Sequence, residues 1–363
     1  MNLKIAKSAL VPPLLMVLIS PFFALCHRSS NSAINKEVTP WQRKVFVSPG
    51  WLKDQRISDT NLMVVKAMPG GPSGEYIPGS IHVNTDEIEY DEFRPRTGTP
   101  LSELGRTTTE EQDQAKGLSA SDSLPKNWWN LYPDEYLLKA IAYMGITISS
   151  KVVVYGESPD PAARLAWCLK YAGIEQVYFL NGGLKAWINT GNSTTTSPSK
   201  RTPVPHFGAV TAVNQKYLAT TEYIRGVVSN CHPNDQIVDV RTYNEHIGED
   251  YYYQYITTKG RIHNSLFGKD TANGDLPVTG FYGENHEILL PAIETFWQEA
   301  GITPDKQVSF YCGTGWRSSL AWLIAYSLGY DNIKNYDGGW YKWSMGPDKY
   351  RNPSDIGGQT QRD

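Results

Sequence analysis

One cysteine of the chain lies in a sequence that could hold it as a reactive thiol. Cys312 follows the short apolar run Val308–Tyr311 and begins the turn Cys-Gly-Thr-Gly-Trp-Arg, which ends at Arg317. A helical pattern with apolar residues on one face comes next. The backbone N–H groups of such a turn and the positive end of the helix favour an anion on sulfur. The sequence therefore predicts a nucleophilic cysteine at the end of a strand.

The other residues of this turn could bind a substrate around the sulfur. Gly313 and Gly315 allow the backbone angles and close approach that a cradle of N–H groups requires. Thr314 offers a hydroxyl donor, and Trp316 would border the mouth of the site and exclude water. Arg317 either binds an anionic donor or folds back to structure the turn.

A second arginine is a weaker candidate for substrate binding. Arg241 follows a short apolar strand in the second half of the chain. It either pairs with Asp239 or Glu245 as a buried structural link or supplies positive charge to the substrate. Nearby, Tyr251–Tyr253 and Tyr255 form an aromatic segment that lines the cleft or packs the two halves together.

The chain repeats itself at a separation of 156 positions, without a gap over residues 145–187 and their counterparts. The repeat indicates two copies of one unit. A polar linker containing prolines, residues 191–208, joins them. The matching segments are Gly145–Ile146 with Gly301–Ile302, Val152–Tyr155 with Val308–Tyr311, Gly173 with Gly329, and Leu180–Gly183 with Tyr336–Gly339.

Each copy alternates strands with helices, which predicts a mostly parallel, doubly wound α/β sheet. Sites in such sheets lie at the carboxyl ends of strands, where Cys312 is expected. In the second copy we predict strands over 236–240, 308–311 and 332–336 and helices over 288–299 and 318–328. In the first copy we predict a helix over 132–144.

The first copy lacks the thiol. Gly156 aligns with Cys312, and the loop that follows contains acidic residues and two prolines. This copy therefore cannot perform the same chemistry, and we expect it to be structural, to shape the cleft or to bind a partner. It also contains a polar insertion, about 85–128, interpreted as surface loops with some local order. Cys168 is expected in the core and Cys231 in a turn.

Four segments together resemble a rhodanese domain, and two such units in one chain resemble the tandem-domain sulfurtransferases of the rhodanese family. The cysteine turn is similar to that of secreted bacterial members, and the resemblance covers nearly all of residues 43–347. It implies two tandem rhodanese-like domains and a persulfide on Cys312. The sulfane sulfur would come from thiosulfate or a similar small anionic donor and pass to cyanide, a thiol or a protein acceptor. The segments are Val238–Arg241, Gly260–Ile262, Tyr311–Arg317 and Asp337–Trp340.

Other functions remain open at this point. The spacing from Cys312 to Arg317 is C-x4-R, shorter than the C-x5-R loop of phosphatases and most arsenate reductases of related fold, so sulfur chemistry is favoured. Glu245 and His246 stand where mercaptopyruvate-specific relatives have arginines, which favours thiosulfate over 3-mercaptopyruvate. A non-catalytic scaffold or a sulfur-relay binding protein is the main alternative.

Composition narrows the class of partner. The net charge is −3, the pI is about 6.2, and no basic run or stripe occurs, so we expect no nucleic-acid binding. The four cysteines have neither metal-ligand nor disulfide-framework spacing, so no metal or other cofactor is predicted. The internal duplication already supplies a two-domain interface, and we expect a monomer.

The N-terminus predicts export. Lys4 and Lys7 precede an apolar run over 9–25, as in a secretory signal peptide. We expect a periplasmic or otherwise extracytoplasmic protein; an uncleaved membrane anchor is the alternative. The predicted organisation is a signal peptide (1–26), a polar tether (27–42), a first domain without catalysis (43–190), the linker (191–208), a catalytic second domain (209–347) and a polar tail (348–363).

Overall fold

The computed structural model describes residues 43–89, 129–250, 253, 255–268, 283, 287–356 and 359–361. The predicted signal peptide and tether lie outside these residues, as does the insertion beyond Glu89. Within the described ranges, no helix is long and apolar enough to cross a membrane.

The first repeat is built on a five-stranded parallel sheet. Its strands are β1 (Phe46–Val47), β2 (Leu62–Met68), β3 (Ile81–Asn84), β4 (Lys151–Tyr155) and β5 (Gln176–Leu180). They lie in the order β1-β5-β4-β2-β3, so β4 is central. Its helices are α1 (Pro49–Ser58), α2 (Asp134–Tyr143), α3 (Pro159–Ala172) and α4 (Gly183–Asn189).

The second repeat has the same sheet. The strands of this half and the C-terminal segment are β6 (Leu218–Ala219), β7 (Asp235–Asp239), β8 (Arg261–Ile262), β9 (Leu266–Phe267), β10 (Gln307–Tyr311), β11 (Ile333–Tyr336), β12 (Ser354–Ile356) and β13 (Gln359–Gln361). Five of them form a parallel sheet in the order β6-β11-β10-β7-β9. The helices are α5 (Thr221–Val228), α6 (Tyr243–His246), α7 (Leu290–Glu299), α8 (Trp316–Ser327) and α9 (Gly339–Met345).

The two strand orders correspond element by element. The bounds of α2 and α7, of β4 and β10, and of α4 and α9 each differ by the 156 positions that the sequence repeat predicts. The α/β fold of two repeated units, each with a parallel sheet and flanking helices, is therefore confirmed. In both units the central strand is almost wholly buried, as expected for a strand covered on both faces.

Helices α3 and α8 pack against each other where the two repeats meet. Each follows the loop at the end of its central strand, so the cysteine loop and its counterpart both lead into this contact. Cys168, in α3, is fully buried, which confirms its expected place in the core. Burial raises the pKa of the Cys168 thiol well above its ordinary value, so this thiol is an inert packing residue.

The start of the insertion is buried, contrary to the expectation of surface loops from residue 85. Thr85–Glu87 forms a 3-10 turn capped by Asn84, whose side chain accepts from the N–H of Asp86. Ile88 and Glu89 have almost no exposed surface. The expectation was wrong for these residues because polar residues can be buried where they form hydrogen bonds within the protein, and composition does not report such bonds.

The linker lies along the first repeat. The N–H of Tyr76 donates to the carbonyl of Thr195 at 2.7 Å, and the N–H of Thr195 donates to the carbonyl of Tyr76 at 2.9 Å, which makes a backbone bridge. Arg201 forms an ion pair with Glu87 at 2.6 Å. Backbone hydrogen bonds of this kind do not depend on apolar side chains. The composition of the linker therefore predicted that it is polar, but not that it pairs with the first repeat.

The predicted polar tail contributes to the fold. Strand β12 pairs antiparallel with β8 and with β13, forming a small third sheet. The carboxylate of Asp355 lies 2.7 Å from Nδ1 of His263 and 3.3 Å from Nε of Arg261. The tail is held by main-chain and ionic contacts, which carry no hydrophobic periodicity.

Candidate active site

Cys312 lies directly after β10, at the carboxyl end of the central strand of the second sheet. Its side chain is fully buried. The N–H of Trp340 donates to the Cys312 carbonyl at 2.7 Å, and the N–H of Tyr341 donates to the Gly313 carbonyl at 3.0 Å. Helix α9 thus begins by holding the first two peptide groups of the cysteine loop.

This close contact requires a glycine on the helix side. Gly339 has φ of 56°, and a Cβ there would lie 2.4 Å from the carbonyl oxygen of Gly313. In the loop itself, Gly315 has φ of 86° and precedes α8 as its N-cap. Any other residue at 315 would be strained, so the predicted backbone role of Gly315 agrees with the structure.

Gly313 allows an aromatic ring to lie against the cysteine loop. A Cβ at this position would lie 2.2 Å from Cε2 of Tyr253. The ring of Tyr253 therefore lies directly on the loop, and the Arg317 guanidinium is 5.1 Å from its centroid. Burial raises the pKa of Tyr253 well above its ordinary value, so its hydroxyl stays protonated.

The two described tyrosines of the aromatic segment make different contacts, and Tyr255 agrees with the predicted packing between the two halves. Tyr253 covers the loop, whereas the ring of Tyr255 lies 4.6 Å from that of Trp129, which belongs to the first repeat. The Tyr255 ring is also 5.3 Å from that of Tyr341. Tyr251 and Tyr252 lie outside the described residues.

Arg317 forms a two-point ion pair within the second repeat. Its Nη1 and Nη2 donate to the two carboxylate oxygens of Glu245 at 3.1 and 3.2 Å. Glu245 also accepts from the N–H and hydroxyl of Thr242, which caps α6. Burial alone would raise the pKa of Glu245, but the charges of Arg317 and Arg241 outweigh it and hold that pKa below its ordinary value. Arg317 thus structures the turn, one of its two predicted roles.

Arg241 forms a buried ion pair with Asp239, which is one of the roles predicted for it. It donates to both oxygens of Asp239 at 2.9 and 2.7 Å and to the carbonyl of Gly260 at 2.7 Å. Asp239 also lies 3.1 Å from Nδ1 of His246 and accepts from the Tyr311 hydroxyl at 2.9 Å. Burial would raise the pKa of Asp239, but Arg241 and His246 outweigh it and hold that pKa far below its ordinary value. Arg241 is therefore held by Asp239 and Gly260, and a contact of Arg241 with the substrate stays a prediction.

Ser318 contacts the thiol, although no role was predicted for it from the sequence. Its Oγ lies 3.7 Å from Sγ of Cys312 and donates to Oδ1 of Asn335 at 2.6 Å. Asn335 is fixed in turn, because its Nδ2 donates to the carbonyl of Gly315 and to the Ser319 hydroxyl. A serine has a single hydroxyl proton, so the sulfur and Asn335 compete for it. Ser318 lies in the first turn of the helix after the cysteine, and this position is the sequence signal that could have indicated such a donor.

The remaining loop residues lie at the contact between repeats. Thr314 is buried in the loop. The indole Nε1 of Trp316 donates to Oε2 of Glu89 at 2.9 Å, so this wall of the loop is fixed by the first repeat. Glu89 was missed in the sequence because it begins a polar insertion and is distant from the cysteine along the chain.

The corresponding loop of the first repeat is anchored by the same backbone hydrogen bond and has no thiol. The N–H of Leu184 donates to the Gly156 carbonyl at 3.0 Å, as Trp340 does to Cys312. Gly183 has φ of 56°, and a Cβ there would lie 2.5 Å from that carbonyl oxygen. The anchoring of the loop is thus a property of the repeat, independent of the cysteine.

The charge beneath this loop is reversed. Lys66 faces Tyr155 in the strand register just as Asp239 faces Tyr311. The Lys66 ammonium is buried and pairs with Glu157 at 2.6 Å, next to Gly156. A carboxylate thus fills the position after the missing thiol, where it would repel an anionic donor.

Within the described ranges, no three or more His, Cys, Asp or Glu side chains are grouped so that they could hold a metal ion.

Comparison with known proteins identifies the class. The family model of the rhodanese-like domain matches residues 54–190 and 227–345, so the chain belongs to the rhodanese-like family, with two copies of the domain. The thiosulfate sulfurtransferase YnjE of Escherichia coli is 34% identical over 325 residues, which are 86% of this chain. This chain spans 65% of the length of YnjE.

Other relatives agree on the family. The thiosulfate sulfurtransferase of Azotobacter vinelandii is 29% identical over 60% of this chain and 74% of its own. The crystal structure of YnjE has a TM-score of 0.70 at 28% identity, covering 87% of this chain and 69% of its own. The anaerobic ergothioneine biosynthesis enzyme of Chlorobium limicola, in complex with trimethyl histidine, has a TM-score of 0.70 at 28% identity, covering 86% and 70%.

Proposed function

We propose that this protein is a sulfurtransferase that carries a sulfane sulfur as a persulfide on Cys312. The observation that carries the proposal is the position of Cys312, which begins the segment Cys312–Arg317 that runs from the end of β10 into the first turn of α8. Thiosulfate, or an anion of similar charge, is the donor, and cyanide or a thiol is the acceptor. Thiosulfate sulfurtransferases among the relatives support this substrate class.

The reaction balances in two displacement steps. The Cys312 thiolate attacks the outer sulfur of thiosulfate, the S–S bond of thiosulfate breaks, and sulfite leaves with the electron pair. Cyanide then attacks the outer sulfur of the persulfide. A C–S bond forms, the persulfide S–S bond breaks, and thiocyanate leaves while the thiolate is restored. No oxidant, reductant or metal takes part.

Residues of the chain assist these steps by holding charge. The N–H groups of the loop and the positive end of α8 stabilise negative charge on the bound sulfur. The Ser318 hydroxyl can turn from Asn335 toward the sulfur when the sulfur is anionic. The short loop leaves less room than a phosphate requires, as the C-x4-R spacing indicates.

Formation of the persulfide on Cys312 tests the proposal. The full chain is incubated with thiosulfate, and peptides are analysed by mass spectrometry before and after addition of cyanide. We expect a gain of one sulfur atom on the Cys312 peptide that cyanide removes as thiocyanate. Cys231→Ser is the matched control, because Cys231 is an exposed thiol outside the loop.

Two results would contradict the proposal. Either wild type acquires no sulfur from thiosulfate, or Cys312→Ala acquires and releases it as wild type does. A chain that is loaded only by a protein donor, never by thiosulfate, would support the alternative of a sulfur-relay protein. The sulfur carrier protein TtuD of Thermus thermophilus, 31% identical over 58% of this chain, makes that alternative specific.

A second acceptor class is favoured by one observation. A solved variant of EanB, a protein 28% identical to this chain with a TM-score of 0.70, combines a substituted tyrosine, a cysteine persulfide and ergothioneine. That tyrosine precedes that cysteine by the same number of positions as Tyr253 precedes Cys312 here. Tyr253 also lies on the loop, against Gly313. We propose trimethyl histidine as a candidate acceptor on this ground.

This candidate needs its own measurement. The persulfide form is mixed with trimethyl histidine, and ergothioneine is sought by mass spectrometry, with cyanide as the parallel acceptor. Ergothioneine from wild type and less of it from Tyr253→Phe would support the candidate. Thiocyanate without ergothioneine would exclude this acceptor and leave the thiosulfate step intact.

We also propose that the protein is exported, on the basis of the charged and apolar N-terminal sequence. The mature N-terminus, determined by sequencing the protein from its host, is expected near residue 27. A native protein that starts at Met1 and remains in the cytoplasm would contradict export.

A further inference from the structure

A buried cluster of charged side chains joins the two repeats beside the cysteine loop. Arg164, in α3 of the first repeat, donates through Nε to Oε2 of Glu89 at 3.1 Å. Its Nη1 lies 2.5 Å from Oδ1 of Asp337, which belongs to the second repeat. The side chains of Arg164 and Glu89 are fully buried. Removing one member of a buried polar cluster leaves its partners without a hydrogen bond, which is costly, so the cluster holds its geometry strongly.

The cluster touches the cysteine loop at two neighbouring residues. The indole of Trp316 donates to the same Glu89 oxygen that Arg164 uses. A Cβ at Gly315 would lie 3.1 Å from Nη1 of Arg164 and 2.9 Å from Oδ1 of Asp337. The guanidinium of the first repeat therefore packs directly on the backbone of the loop, and Glu89 fixes the adjacent side chain.

Further bonds fix the cluster to the first repeat. Nη2 of Arg164 donates to the carbonyl of Trp129 at 2.9 Å, and the N–H of Leu131 donates to Oδ2 of Asp337 at 2.8 Å. The second carboxylate oxygen of Glu89 has no hydrogen-bond partner among the described residues. Burial raises the pKa of Glu89 to about 8, with Arg164 opposing the rise, so Glu89 is mostly protonated near neutral pH.

We propose that Glu89 and Arg164 are positioning residues for the cysteine loop, through which the repeat without a thiol sets the reactivity of Cys312 toward its anionic donor. The proposal rests on the sulfurtransferase function proposed above. Neither residue needs to touch the donor. Glu89 acts through the indole of Trp316, and Arg164 acts through the backbone at Gly315.

Three variants of the full chain test Glu89. Glu89→Leu removes the acceptor of the Trp316 N–H, whereas Glu89→Gln keeps a carbonyl acceptor and the shape of the protonated acid. We expect kcat/KM for thiosulfate to fall about tenfold in Glu89→Leu, the change that corresponds to one lost hydrogen bond, and to stay within about twofold of wild type in Glu89→Gln. Glu157→Gln is the control, because it breaks a different ion pair of the first repeat.

A second readout does not depend on sulfur transfer. The rate at which iodoacetamide alkylates Cys312 is followed by peptide mass spectrometry. We expect this rate to rise severalfold in Glu89→Leu, because a loosened loop exposes the buried thiol, and to remain unchanged in Glu89→Gln and Glu157→Gln. If wild type forms no persulfide, the proposed function fails, whereas the alkylation rates still decide whether Glu89 positions the loop.

The inference is overturned if Glu89→Leu leaves both readouts unchanged. It is also overturned if Glu89→Gln is impaired as much as Glu89→Leu, or if Glu157→Gln shows the same losses, since a general loss of stability would then explain them. Should Glu89→Leu not fold, Trp316→Phe replaces it. That variant lacks the N–H donor, and an unchanged alkylation rate in it would equally reject the role of Glu89.

Discussion

Arg317 and Glu245 join the last residue of the cysteine loop to helix α6 through two parallel hydrogen bonds. Both side chains are almost fully buried, so water cannot take the place of either hydrogen-bonding partner. The arginine of the motif therefore holds the loop closed within its own domain, while the first repeat holds the same loop from the opposite side.

Glu245→Gln tests the first of these two supports. The substitution leaves Arg317 as a buried charge without its carboxylate, so we expect the free energy of unfolding to fall by about 3 kcal/mol at pH 7. Urea denaturation measures it. Glu135→Gln, which removes an exposed i,i+4 pair with Lys139, is expected to change little. Equal losses in the two variants would refute the importance of burial.

The same pair predicts a pH dependence. Because its folded-state pKa is lowered, Glu245 stabilises the fold above its unfolded pKa, and this contribution is lost as the pH falls through the folded value. The difference in unfolding free energy between wild type and Glu245→Gln should therefore shrink on acidification below about pH 4. A difference that grows on acidification would contradict the ion pair.

Glu89 predicts a pH dependence of stability with the opposite sign. Its folded pKa, about 8, exceeds the unfolded value, so the folded state holds a proton that the unfolded state releases. Wild type should lose stability relative to Glu89→Gln as the pH rises from about 4.5 to about 8, by up to about 4 kcal/mol in all. Urea denaturation of both proteins across this range measures the trend. A constant difference would show that Glu89 is ionised throughout.

Two glycines form a matched pair for separating stability from chemistry. Gly339 and Gly183 both have φ of 56°, and each lies against the loop of its own repeat. Gly339→Ala and Gly183→Ala should each lower the melting temperature, because an added Cβ would meet a backbone carbonyl. Gly339→Ala should in addition slow persulfide formation on Cys312. Equal slowing by both substitutions would argue against a local effect.

Restoring a thiol to the first repeat should not restore a site. In a Cys312→Ala background, Gly156→Cys places a side chain where a Cβ would lie 2.4 Å from the carbonyl oxygen of Ser158. Glu157 also puts a carboxylate beside the new thiol. We expect no sulfur on residue 156 after incubation with thiosulfate, and a lower melting temperature. A cyanide-labile sulfur there would show that the first loop is competent after all.

The elements that position Cys312 were predictable because they are local. The strand predicted over 308–311 is observed over Gln307–Tyr311, and the helix predicted over 288–299 over Leu290–Glu299. Apolar runs, glycine turns and the repeat of 156 positions all act at short range or by direct comparison of two segments. They were sufficient to locate the loop and to recognise that its counterpart lacks a thiol.

The partners of the loop were not predictable in the same way. The ion pair of Arg317 with Glu245 crosses 72 positions, and the bond of Trp316 to Glu89 crosses 227. Such contacts depend on which elements the fold brings together, and charge patterning does not report them. The pairing of β12 with β8 was missed for the same reason, since main-chain hydrogen bonds leave no side-chain pattern.

The packing of α3 against α8 also limits how the two repeats could diverge after duplication. Helix α8 follows the cysteine loop and is buried along most of its length, partly by a helix from the copy without a thiol. The first repeat thus lacks a cysteine at position 156 but still packs against the helix that follows Cys312. A substitution in α3 that changes this packing should therefore disturb the helix that follows Cys312, so we expect changes in the two helices to compensate each other.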